Sequence, residues 1–144
     1  MTSIAPVFFP DGRQTLFEAT FTGYFAWCGM RILEMGDGAA VVALNPRAEM
    51  LTPWGTLNGG VVNVLVEHPT YLALLTQMKE GEFPMTSDIF VQHMRPLPGD
   101  AEYTLRSTVI RRGKTMAWVN TDVFANDVLV STARITKTIL PAKP

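Results

Sequence analysis

The chain has 144 residues, of which 47% are hydrophobic and 17% charged, with a formal net charge of −1. That length suits one domain over residues 1–144 with a proper core, and the apolar runs are far too short to span a bilayer. A near-neutral total argues against general nucleic-acid binding, and a single cysteine, Cys28, excludes an internal disulfide framework.

The charge is unevenly placed. Residues 1–94 carry four Lys/Arg and nine Asp/Glu, whereas residues 95–144 carry eight and four. A basic C-terminal third suits a local anionic ligand. The opening MTSIAPVFFP lacks a basic n-region and a long apolar h-region, so a cytoplasmic location is the expectation.

Residues 1–13 read as an irregular arm. From Gln14 to Trp27, Leu16, Phe17, Phe21, Tyr24, Phe25 and Trp27 approximate helical spacing, and Cys28-Gly29 closes that helix. Met30–Met35, the turn Gly36-Asp37-Gly38 and Ala39–Asn45 predict a β-hairpin. After a connection over Pro46–Pro53, a helix is expected from about Gly59 to Met78, ended by Gly81–Pro84. Apolar residues fall on every face from Val61 to Val66, which marks it as buried. Pro69 predicts a kink, because its ring displaces the hydrogen bond to the Leu65 carbonyl.

One carboxylate, Glu67, sits in this helix. A charge there is costly without a partner or a task; taken alone, Asn63 or Thr70 could satisfy it. At the helix start the N–H groups of Gly59 and Gly60, just after Asn58, are orphan donors suited to an anion or a developing oxyanion.

Beyond Pro84 the pattern changes to strands. Met85–Arg95 is followed by the turn Pro96–Asp100. Glu102–Arg111 places Tyr103, Leu105, Ser107 and Val109 on one face. Thr115–Ala125 and Val128–Leu140 complete a four-strand meander. The sum is an α+β architecture: one antiparallel sheet of five to six strands wrapped around a long buried central helix, plus an N-terminal helix. Met78, Met85, Met94 and Met116 are read as gap-fillers.

The order of elements and several motifs together resemble the hotdog-fold acyl-CoA thioesterases, nearest the phenylacetate-pathway (PaaI-like) and 4-hydroxybenzoyl-CoA thioesterase-like branch. The resemblance covers roughly residues 15–140. It rests on Gly55, Gly59, Gly60 and Glu67 in G-T-L-N-G-G plus a spaced acid, on Met94-Arg95-Pro96, and on Arg111-Arg112-Gly113-Lys114. Asn58 stands where the family usually has histidine, and Thr52 where relatives often carry an amide.

The resemblance implies an acyl-CoA thioesterase acting on a small aromatic or medium-chain acyl group. Glu67 would be general base or nucleophile, with Gly59, Asn58 and Thr86 completing the catalytic set. Arg95, Arg111, Arg112, Gly113 and Lys114 would hold the coenzyme A phosphates, and Thr52, Gly60 and Tyr71 would line the substrate. Coenzyme A is then part of the substrate, and no separate cofactor is expected. Neither His68 nor His93 has metal-ligand spacing, so no metal is expected. A non-catalytic acyl-CoA binder is the alternative, motivated by Asn58 and Thr52.

Geometry adds a constraint. Eight residues of helix separate Gly59 from Glu67 by about 12 Å. A carbonyl at one cannot be reached from the other within one chain, so a homodimer with composite sites is expected, with stacking into a homotetramer as a further arrangement.

Overall fold

A computed structural model of the chain describes residues 17, 18, 20 and 22–141. The arm expected over residues 1–13, and much of the expected first helix, lie outside them. What is described of that helix is a helical conformation at Phe17 and Glu18 and one short segment, α1 (Gly23–Cys28), ended as expected by Gly29 in the left-handed conformation. Strand β1 (Arg31–Gly36) and strand β2 (Ala39–Leu44) form the expected hairpin. Its turn puts Asp37 at φ 49° and Gly38 at φ 77°. Glycine suits this position because a side chain at that positive φ would be strained.

The central helix is two helices. Segment α2 (Gly59–Leu65) and segment α3 (Glu67–Leu75) meet at Val66. The distortion expected from Pro69 therefore falls one turn earlier, where the Leu65 carbonyl loses its donor. α3 is buried along most of its length, but α2 is not buried on all sides: Asn63 and Val64 face solvent in the single chain.

Strands β3 (Glu82–His93), β4 (Tyr103–Arg112), β5 (Met116–Ala125) and β6 (Val128–Pro141) follow. The sheet is six-stranded and antiparallel, in the order β1-β2-β4-β5-β6-β3. The expected meander is thus wrong at one step, because β3 pairs with β6 and leaves the place beside β2 to β4. The cause is burial. β2 is apolar throughout and buried at all but its first residue, so it needs a neighbour on both sides. β3 is mostly exposed and takes the edge. The connection after β3 crosses instead to the loop before α2, where Leu57 N–H donates to the Leu97 carbonyl at 2.8 Å.

The sheet's inner face closes over α3. Tyr103, Leu105 and Ser107 point inward as expected. Thr70 of α3 bonds Thr121 at 2.9 Å, and Thr121 bonds Ser107, so three buried hydroxyls satisfy one another beneath the helix. Of the four methionines read as gap-fillers, Met78 is buried, whereas Met85 and Met94 are exposed.

His68 is buried in α3. Its ring stacks on Phe25 with centroids 4.4 Å apart, and Nδ1 lies 3.2 Å from Met30 Sδ. Nε2 has no hydrogen-bond partner among the described residues. Burial lowers its pKa from 6.5 to about 4. The unfolded chain therefore takes up a proton near pH 6.5, while the folded chain refuses it until about pH 4. Stability is full above the first value and falls towards the second, by on the order of 2 kcal/mol between pH 7 and pH 5. In His68→Leu this component disappears, so the loss of melting temperature from pH 7 to pH 5 should be smaller than in the unaltered protein.

Candidate active site

The acid of the central helix has partners that its sequence neighbours do not supply. Glu67 opens α3, and its carboxylate meets Thr86 Oγ at 3.0 Å (Oε1) and 2.8 Å (Oε2). Lys137 Nζ lies 2.6 Å from Glu67 Oε2 and 2.6 Å from Thr86 Oγ. Neither Asn63 nor Thr70 is engaged; Thr70 is committed to Thr121. Glu67 is therefore a paired charge on a helix seated over a sheet. The Lys137 side chain is 3% exposed and that of Glu67 20%, so the pair has a dry cationic side and a carboxylate edge open to solvent.

A register shift builds this cluster. Thr86 pairs with Lys137 and His93 with Ser131, but between Thr86 and Asp88 the pairing slips by one residue. Seven positions separate Thr86 from His93, and in a regular strand they would face opposite sides. The extra residue, Ser87, turns both toward the helices.

At the other end of β3 stands the glycine pair. Asn58 caps α2, its Oδ1 accepting from Gly60 N–H at 2.8 Å. That corrects the expectation of two orphan donors, because only the Gly59 N–H lacks a partner among the described residues. A Cβ on Gly59 would lie 2.9 Å from His93 Nε2, and His93 Nδ1 is 2.8 Å from Ser131 Oγ. His93 is thus packed on the glycine that opens α2.

The two ends do not meet within one chain. Lys137 and Ser131 both face the helices from β6, six residues apart, which is about 20 Å along a strand. Along the helices, Gly59 and Glu67 are held apart by about two turns.

The remaining expected residues divide. Thr52 is spent on its own turn, bonding Thr56 Oγ at 2.7 Å and receiving Trp54 N–H at 3.3 Å. Tyr71 lies beside Phe25, half-buried, and burial pushes its phenol up to about 12. Arg112 is not a free phosphate ligand: it pairs with Glu82 and donates to the carbonyls of Gly113 and Lys114, holding the β4–β5 turn. Arg111 lies over the Trp118 ring at 5.8 Å. Lys114 lines a cavity of about 600 Å³ with Gln77, Lys79, Arg112 and Ile139. Arg95 stands apart, next to Val130 at the far end of β6, and does not join this basic turn.

Lys137 and His93 were not singled out from sequence. For Lys137 there was a signal: it is in phase with Ser131, Ala133, Ile135 and Ile139, the inner face of β6. For His93 there was none, since its facing depends on the shift at Ser87.

Known proteins share this fold. A family model, the thioesterase superfamily, matches residues 55–132. Human acyl-coenzyme A thioesterase 13 is 25% identical over 108 residues, 74% of this chain and 76% of that protein. A mutant of the phenylacetic acid degradation protein PaaI from Thermus thermophilus superposes with a TM-score of 0.74 at 25% identity, covering 81% of this chain and 98% of that one. A thioesterase from Haemophilus influenzae gives a TM-score of 0.81 at 23% identity and 90% coverage of both chains. With the family match spanning more than half its length, the chain belongs to the thioesterase superfamily, as a thioester hydrolase of the hotdog fold.

Proposed function

We propose that this protein hydrolyses acyl-CoA thioesters carrying a small aromatic or medium-chain acyl group, at sites shared by two copies of the chain. The observation that carries this reading is the Glu67 carboxylate held by Thr86 and Lys137 with one edge open to solvent. Glu67 takes a proton from water as the water oxygen bonds to the thioester carbon. The carbonyl oxygen, now negative, is received by the Gly59 N–H. The carbon–sulfur bond then breaks, and the thiolate leaves and is protonated, giving a carboxylic acid and free coenzyme A. The likeness to acyl-coenzyme A thioesterase 13 supports the choice of coenzyme A esters.

Because Glu67 and Gly59 are too far apart in one chain, the amide comes from a second copy. β3 is one of the sheet's two edge strands, 12 residues long, and shows Met85 and Phe90 to solvent. Pairing it antiparallel with its own copy about a point near Ile89 and Phe90 sets the Thr86 end of one strand beside the His93 end of the other. That brings Glu67 of one protomer toward Gly59 of the partner subunit. Lys79, Arg111 and Lys114, around the β4–β5 turn, then supply charge for the coenzyme A phosphates.

Three measurements test this. Thiol release from a panel of CoA esters should fall at least 100-fold in Glu67→Gln with the fold retained; no release by the unaltered protein from any ester would overturn the reading, and stabilisation by esters without release would select the non-catalytic binder. In solution the protein should sediment as a dimer or a multiple of one, and Phe90→Asp, which sets like charges across the axis, should weaken assembly and turnover together; an active monomer would refute the shared site. Finally, KM for a CoA ester should rise several-fold from 50 to 500 mM salt, whereas KM for the matching pantetheine ester, lacking the nucleotide phosphates, should not.

A further inference from the structure

We infer that Lys137 is a positioning residue for the hydrolytic reaction, one that fixes the Glu67 carboxylate so that Oε1 is the oxygen that meets water. The inference rests on the proposed role of Glu67 and adds to it a residue that the motifs did not mark.

Glutamate has three rotatable side-chain bonds, and a carboxylate free to sweep would spend little time aimed at an attacking water. Lys137 removes that freedom from a rigid base. Its backbone is paired on both sides, with Ala117 of β5 and Thr86 of β3. Its side chain is almost fully buried, so the ammonium has little room to leave. From there it donates to Glu67 Oε2 at 2.6 Å and to Thr86 Oγ at 2.6 Å. The Thr86 hydroxyl, with its oxygen accepting from Lys137, turns its own hydrogen to the carboxylate. Its shorter contact, 2.8 Å, is again to Oε2, while Oε1 is reached only at 3.0 Å. Oε2 therefore receives the ammonium and the shorter hydroxyl contact, while Oε1 has only the longer one and keeps a free lone pair. The ammonium on one oxygen, with only a shared hydroxyl on the other, defines an orientation as well as neutralising a charge.

The test is steady-state kinetics of Lys137→Met and Lys137→Gln, beside Lys137→Arg, on whichever CoA ester the unaltered protein turns over best. Each variant is first checked for native secondary structure and oligomeric state. In the two neutral variants kcat should fall about 10- to 100-fold while KM stays within about twofold. Lys137→Arg, which keeps charge and donors, should retain more kcat than either. Lys137→Gln keeps a polar donor for Thr86, and so carries the test if the methionine variant does not fold. Unchanged kcat in a folded neutral variant, or a loss confined to KM, would overturn the inference and leave the function of Glu67 standing. Absence of turnover in the unaltered protein would overturn both.

Discussion

One contact organises this molecule: the ammonium of Lys137 against the carboxylate of Glu67. It joins the first turn of α3 to the inner face of β6, across a boundary whose other polar contacts are between neutral hydroxyls. Burying a lysine is unfavourable unless its donors are answered, and a buried pair seldom outperforms hydrophobic residues of the same volume as a source of stability. Its presence on the inner face of the sheet therefore needs an explanation other than stability. The asymmetry of exposure supplies one. The cation is dry and held by two contacts, the anion is at the rim, and the geometry presents a carboxylate edge rather than hiding it.

That contact depends on a local irregularity in the sheet. Lys137 faces inward by the plain alternation of β6, but its partner Thr86 and the distant His93 share that face only because β3 carries one extra residue at Ser87. A regular strand would turn one of them to the opposite side. An edge strand can absorb such an insertion, because only one side of it is paired. The exposed edge, the shifted register and the two polar clusters are thus consequences of the same placement of β3 outside β6.

Much of this was readable from residues alone, and what was not has physical causes. The hairpin at Asp37-Gly38, the alternation of β4, the interruption near Pro69 and the need of Glu67 for a partner follow from local chemistry: turn conformation, strand period, a missing N–H and a charge in an apolar run. The strand order did not, because the nearest strand in sequence is not the neighbour in space, and the need of β2 for two partners outweighed proximity. The partners of Glu67 did not either. Lys137 is 70 residues away, and only its phase in β6 distinguished it from a solvated lysine. Arg112 shows the opposite failure. A basic turn motif suggested an anion site, while the ion pair with Glu82 assigns that guanidinium to holding the turn itself.

The split of polar groups along β3 has a consequence for how association and chemistry are linked. The Thr86 end carries the carboxylate, the His93 end packs against the bare amide of Gly59, and about 20 Å of strand separates them. Neither end contains both the Glu67 carboxylate and the Gly59 N–H. An operation that reverses the strand would juxtapose them, and in the proposed assembly a two-fold axis through the middle of β3 is that operation. Under the proposed assembly the edge left open by one fold is therefore also the ruler that sets the spacing of the site. A shift of two residues in that pairing would displace the amide from the carboxylate by about 7 Å, more than a hydrogen bond can span. The apolar residues exposed on β3 would then have to fix register as well as association.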